Sequence, residues 1–301
     1  MFAGTGSKED VIDFNDQVSS SLKPTTERNI LALIADSQRL RKGDLILFYL
    51  QQNYDSGVRE GKFYGIFQAV EDLSFLDNNT SEQYLREVLV KSLTLRTLIK
   101  PLDVYSQGVT EWEALDEIKH IQSPNQMLWS LIYRKLKGNR GNTMITIYES
   151  ERLTKLIRDK NRHQTIDSCN FTFDLSTQEI TPLTCPNLYA GRRETINVLP
   201  RLQNRYNLGR AFEAHLQAWI VQQIGRGTCS QLDSLLLDGM EMEWLGNEVS
   251  CGVGMQRIDI VLSLVNNHRR KCVPIELKAI EASEDVIHQM QRYVDWLNQY
   301  Y

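Results

Sequence analysis

The chain has 301 residues, 42% of them hydrophobic and 24% charged, which is the composition of a soluble globular protein with room for two ordinary domains. A formal net charge of −4 excludes a uniformly basic nucleic-acid binder and leaves the local distribution of charge to decide. No apolar run approaches the length of a membrane span, and the first ten residues lack the charged-then-apolar start of a secretory signal, so a cytoplasmic protein without membrane contact is expected.

Up to about residue 26 the chain is polar and Ser-rich, with Val11, Ile12 and Phe14 as its apolar cluster, and an edge element or lead-in is expected there. Residues 27–40 read as a short helix that buries Ile30, Leu31, Leu33 and Ile34. Residues 45–50 are fully apolar and read as a strand. A second strand is expected over 61–70, where Gly65 inside the pattern points to a bulge or a close backbone approach. This pair, Arg41-Lys-Gly-Asp-Leu-Ile-Leu-Phe-Tyr-Leu50 followed by Gly65-Ile-Phe-Gln-Ala-Val-Glu71, resembles the PUA-like superfold, and within it the EVE and YTH-type domains that recognise modified bases. The resemblance covers roughly residues 22–159. It implies a β-barrel with helices, in which 93–104 is a further strand and 143–148 the closing one.

Thr110-Glu-Trp-Glu113 is a capping box opening a helix over 111–120, and Ser123-Pro124-Asn-Gln126 opens another over 124–136. In EVE-type domains the base lies between aromatic walls, because a flipped base offers a π-face to a ring. Tyr105, Trp112, Trp129 and Tyr133 are the candidates here, with core packing as the alternative for each, since aromatic rings are mostly large apolar fillers. Ser150 is the expected cap of a helix over 151–160. Residues 170–175 read as a short strand, and the Pro- and Gly-containing stretch 181–199 as part of an interdomain connection. From Arg134 to Arg210 there are fourteen Lys/Arg against seven Asp/Glu. That excess marks a candidate phosphate-facing surface, with Arg192, Arg193, Arg201 and Arg205 as backbone contacts or, equally, as a solvated face.

An amphipathic helix is expected over 209–224, with Phe212, Leu216, Trp219 and Ile220 on one side and His215 in a structural role. A strand over 247–251 and a turn over 252–255 then lead into two β-branched runs, around Asp259 and over 273–280, joined by an Asn/His/Arg-rich turn. An antiparallel hairpin is the natural reading. In the second run Val273, Ile275, Leu277 and Ala279 take one face while Glu276 and Lys278 take the other, because alternate strand residues do. Asp259 on the neighbouring strand adds a second carboxylate. Two carboxylates with an ammonium beside them suit a hard, oxygen-loving cation such as Mg²⁺, or Mn²⁺, working on a phosphodiester.

Asp259, then Glu276-Leu-Lys278 on the next strand, then a helix with Gln289-x-x-x-Tyr293, resembles the PD-(D/E)XK nuclease superfamily. That resemblance implies metal ligation by Asp259, Glu276 and the Leu277 carbonyl, assistance to the attacking water by Lys278, an orienting role for Gln289, and completion of the outer metal coordination by Glu213 on the preceding helix. It also implies a last core strand, yet the sequence stops after the Gln289 helix. The five cysteines, Cys169, Cys185, Cys229, Cys251 and Cys272, are scattered without paired metal spacing and read as reduced and structural.

The expectation is therefore an α+β protein. An N-terminal PUA-like β-barrel with helices would occupy 1–160, a connecting segment 161–207, and a C-terminal PD-(D/E)XK (restriction-endonuclease-like) α/β core 208–301. Its activity would be Mg²⁺- or Mn²⁺-dependent endonucleolytic cleavage of DNA, restriction-type and directed by sequence or by a modified base. A homodimer is expected because cutting both strands needs two active sites. A non-catalytic reader of modified nucleic acid and a structure-specific repair nuclease are the competing readings.

Overall fold

The computed structural model describes residues 2–5, 27–77, 95–121, 142–184, 193–251, 256–281 and 283–299, with the backbone alone for 2–5. Trp129, Tyr133, Arg192, Cys185, the expected helix over 124–136, the turn over 252–255 and the apolar cluster of Val11, Ile12 and Phe14 lie outside the described residues.

The first half holds strand β1 (Phe2–Thr5), helix α1 (Glu27–Gln38), strands β2 (Leu45–Leu50), β3 (Lys62–Ala69), β4 (Phe75–Asp77), β5 (Leu95–Asp103) and β6 (Val109–Thr110), and the short helix α2 (Glu111–Asp116). Strand β3 pairs with β2, β5 and β6, and β5 also receives β1 and β4, every pairing antiparallel. The bulge expected at Gly65 is present. Its φ is +58°, the pairing register slips beside it on both flanking strands, and an added Cβ would lie 2.4 Å from the Phe67 ring. Only glycine adopts this conformation and approach without strain. The capping box on α2 is also present, with Thr110 Oγ1 accepting from the Glu113 N–H and Glu113 Oε2 accepting from the Thr110 N–H.

One expectation for this half fails. Residues 143–148 form no closing strand; they run as coil into helix α3 (Ile147–Lys160), whose cap is Thr146 rather than Ser150. Thr146-Ile-Tyr-Glu149 is itself a capping box, with Thr146 Oγ1 taking the Glu149 N–H and Glu149 Oε2 the Thr146 N–H. Two backbone donors satisfied at a helix start outweigh the β preference of Thr143, Ile145 and Ile147. Helix α3 then lays Leu153 and Ile157, four apart on one face, onto Phe63, Ile66 and Val109 of the sheet. The described strands consequently form an open sheet, ordered β2-β3-β5-β4-β9 with β9 (Arg193–Glu194) at one edge, and not a barrel.

The described parts of 161–207 carry secondary structure. A hairpin of β7 (Phe171–Asp174) and β8 (Glu179–Pro182) packs Phe171 and Ile180 against Tyr64, Phe67 and Ile99; β9 pairs with β4, and α4 (Leu199–Asn207) follows.

The C-terminal part comprises helices α5 (Glu213–Gln223) and α6 (Ser230–Leu237), an antiparallel sheet of β10 (Glu241–Ser250), β11 (Arg257–Val265) and β12 (Arg270–Ile275), and helix α7 (Glu284–Leu297). Strand β11 lies between the other two, which is why its Ile258, Ile260, Val261, Leu262 and Leu264 are all buried. Ile260, Leu262 and Leu264 pack under Ile220, Val221 and Ile224 of α5, while Val261 meets Tyr293 and Leu297 of α7. Pro274 lacks an N–H and is tolerated because β12 is an edge. The chain is thus a mixed α+β protein with antiparallel sheets, and among the described residues no helix is long and apolar enough to cross a membrane.

The two halves are locked together through α1. Leu31 and Ala35 pack on Ala218 of α5. Arg41 Nη2 donates to the Val221 and Ile224 carbonyls at the end of α5, and Arg226 Nη2 returns to the Gln38 carbonyl at the end of α1. Cations at helix C-termini satisfy carbonyls that have no partner within their helix. In the buried centre, Asn247 of β10 donates to Asp36 Oδ1 (2.9 Å) and accepts from Arg39 Nη1, whose Nη2 reaches Asn142 Oδ1 (2.6 Å).

Candidate active site

The hairpin register pairs Ile260 with Ile275, so one further step places Asp259 across from Glu276. The regular ladder ends at Ile275, and Glu276, Leu277 and Lys278 lie on its exit rather than inside the strand. The freed Leu277 N–H donates to Asp259 Oδ2 (2.7 Å). Leu277 itself is buried in the same cluster as Val273 and Ile275, so the expected alternation persists past the ladder. Glu276 and Lys278 project to the other side and meet as an ion pair, Nζ to Oε1 2.6 Å.

Helix α7 covers Glu276. Gln289 and Tyr293, four apart and so on one helical face, both point at its carboxylate. Gln289 Nε2 donates to Oε1 (3.0 Å), and the Tyr293 hydroxyl lies 3.3 Å from Oε2 and 2.8 Å from the Arg257 carbonyl. Burial pushes the Tyr293 phenol up to about 12, which keeps it a donor. From the other side, Glu213 in the first turn of α5 accepts the Ala279 N–H at Oε1 (3.1 Å), fixing the chain just beyond Lys278.

Asp259 is the odd member. It has no salt bridge among the described residues, and burial pushes its carboxyl up to about 6, against the opposing Leu277 N–H and with the negative charges of Glu276 and Glu248 adding to the rise. Removing a carboxylate from water without a counter-charge disfavours its ionised form. Lys278 moves the other way: its hydrogen bond to Glu276 raises it above the ordinary lysine range, so at neutral pH it is an ammonium.

Three residues that the sequence gives no reason to choose complete the surroundings. Glu248 of β10 stands opposite Asp259, between the pairs Asn247–Ile260 and Val249–Ile258, and holds a left-handed φ of +52° inside a strand. That conformation costs a non-glycine residue roughly 1–2 kcal/mol and persists only where its surroundings impose it. Gln217 of α5 donates to both Glu248 Oε1 (3.3 Å) and the Asp259 carbonyl (2.9 Å), while Arg257 Nη1 pairs with Glu248 Oε2 (2.7 Å). A strand glutamate and a helix glutamine carry no motif that would single them out.

Of the other candidates, Tyr105 is buried to 3% exposure in the core with Phe63 and Ile66, so it cannot offer a face to a base. Trp112 is 61% exposed on α2. Arg193 forms a two-pronged pair with Glu71 and stacks over the Phe75 ring at 4.6 Å. Arg201 and Arg205 both bind Glu27 of α1, at 2.5 and 3.0 Å, and His215 joins them at 3.1 Å, the structural role expected of it. These three arginines are therefore committed to carboxylates of the chain itself. Cys169, Cys229 and Cys251 are free thiols.

Among the described residues no three His, Cys, Asp or Glu side chains converge as a preformed ion cage. The donors that suit Mg²⁺ or Mn²⁺ are fewer: the carboxylates of Asp259 and Glu276 and the Leu277 carbonyl, all oxygen, as a hard cation prefers. The uncompensated, desolvated Asp259 fits such an ion in its chemistry. No protein-family model matches this chain, and neither a curated protein nor a solved structure matches it.

Proposed function

We propose that the chain is a divalent-metal-dependent DNA endonuclease. In this reading its C-terminal part is a PD-(D/E)XK nuclease core, and its N-terminal half is a PUA-like module that selects the DNA by sequence or by a modified base. The observation that carries the reading is the half-buried Asp259, with no salt bridge among the described residues, across from a Glu276 that already holds a lysine.

Asp259, Glu276 and the Leu277 carbonyl would hold Mg²⁺ or Mn²⁺. When bound, such an ion supplies charge neutralisation at the phosphate and a water of lowered pKa. The rest is the work of the chain. Lys278, protonated at neutral pH, serves as a fixed positive charge for the developing charge on phosphate, not as a base. Gln289 and Tyr293 orient Glu276. Glu213 is a positioning residue through the Ala279 N–H, and its Oε2, which has no partner among the described residues, faces the role of outer contact. Cutting both strands calls for two copies, so the active form is a homodimer.

The test is cleavage of modified and unmodified duplex, single-stranded DNA and RNA with and without Mg²⁺. Wild type should cut DNA only with the metal. Asp259→Ala and Lys278→Ala should each lower the rate by about 10²–10³-fold or more while DNA binding persists. Unimpaired cutting by either variant, or binding without any cutting by wild type, would overturn the proposal, the second result in favour of a non-catalytic reader.

A further inference from the structure

Helix α4 ends in a left-handed turn at Gly209 (φ +60°), and the chain doubles back through Arg210 and Phe212 into α5. Between the two helices runs an open groove of ≈ 640 Å³, lined by Leu202, Tyr206, Phe212 and Leu216. Tyr206 is 68% exposed and meets Phe212 edge-on, ring centroids 5.8 Å apart, so most of its ring faces solvent. Leu208 beside it is 55% exposed. An aromatic ring held open in an apolar groove is poorly served by water and well suited to a flat π-surface.

Arginines neighbour the lining along the chain. Arg201 and Arg205, each one residue before the lining residues Leu202 and Tyr206, share the single carboxylate of Glu27 with His215, so the two guanidinium groups outnumber that carboxylate, and Arg210 in the turn between the helices is exposed. An aromatic platform next to guanidinium groups is complementary to a nucleotide, whose base stacks while its phosphate is paired. The groove also adjoins the candidate active site. Phe212 is the residue before Glu213, whose carboxylate holds the backbone immediately after Lys278.

We infer that this groove takes an unpaired base of the DNA strand beside the phosphate to be cut, so that the substrate is DNA with a single-stranded segment at the scissile position. The inference rests on the nuclease reading for its geometry, but its test does not depend on cutting. A base inside a duplex has both faces covered by its neighbours, and one that is already unpaired reaches the ring without the cost of unstacking.

The experiment is fluorescence anisotropy of the full chain in EDTA with four labelled DNAs of one sequence: single strand, duplex with an overhang, blunt duplex, and the overhang with its bases replaced by abasic sites. Tyr206→Ala should weaken binding to the single strand and the overhang by roughly 5- to 150-fold and leave the blunt duplex unchanged. Tyr206→Trp should retain binding, and the abasic overhang should bind wild type as weakly as the intact overhang binds Tyr206→Ala. Equal losses on all four DNAs, or no loss on any, would overturn the inference. So would a change from dimer to monomer in light scattering with DNA affinity intact, which would assign the groove to a second copy of the chain. Tyr206-dependent binding by a chain that never cuts would sink the nuclease reading and leave the groove standing.

Discussion

Two sheet carboxylates, one fully buried and one half-buried, are treated in opposite ways. Asp77 of β4 is sealed against Arg96 of β5 at 2.6 Å, with side-chain exposures of 0% and 1%. Asp259 of β11 is given one backbone N–H, two neighbouring negative charges and a nearby Lys278 that is bonded to Glu276 instead. Asp77 has its counter-cation inside the fold and belongs to the architecture. A desolvated carboxylate without a counter-cation weakens the fold and is a candidate for binding a cation. Burial alone does not mark a functional acid; the missing partner does.

Breaking the Asp77–Arg96 pair gives the largest expected effect. Arg96→Ala should destabilise the protein by about 3–5 kcal/mol in denaturant unfolding, because the buried Asp77 loses a counter-charge in direct contact with it. The corresponding change at the open site should have the opposite sign. In EDTA at pH 8, Asp259→Asn should be more stable than wild type by up to about 3 kcal/mol, the free-energy equivalent of a carboxyl moved from 3.8 to about 6. The sign follows from proton binding. Between pH 4 and 6 the folded chain keeps the Asp259 proton that the unfolded chain has lost, so wild-type stability relative to the variant falls as pH rises through this window and is level above it. A wild type that gains on the variant over that range would show that Asp259 is paired after all.

A smaller effect sharpens the link between the two regions. Asn247 is fully buried and bridges Asp36 and Arg39 of the first half one residue before Glu248. Asn247→Ala should cost about 1–3 kcal/mol by removing a buried hydrogen bond from each of those groups. It should also lower cleavage more than Thr146→Ala does, since only Asn247 adjoins the strand facing Asp259. Thr146→Ala, which removes the cap of α3, should cost about 1 kcal/mol and leave cleavage unchanged.

The central elements of the candidate site were legible because local pattern fixes them. β-Branched alternation set the hairpin, its register put Asp259 opposite Glu276, and helical spacing put Gln289 and Tyr293 on one face. The Thr146–Glu149 capping box is equally local, but the PUA-like resemblance assigned 143–148 to a closing strand, which the described structure does not form. Arg193 and Arg201 show the limit of charge counting. Their partners Glu71 and Glu27 lie 122 and 174 residues away, a separation that no local pattern crosses. Glu248 was illegible for a different reason: it holds a left-handed backbone inside a strand, a conformation for which glutamate carries no preference.

The most direct measurement is the thermal midpoint at pH 8 with and without Mg²⁺, compared between wild type and Asp259→Asn. If Asp259 is left without a counter-cation to receive an ion, Mg²⁺ should raise the wild-type midpoint in a concentration-dependent way and leave the variant where it was, because only a state that binds the ion gains from it. Equal shifts in both proteins, or none in wild type at millimolar Mg²⁺, would contradict the account.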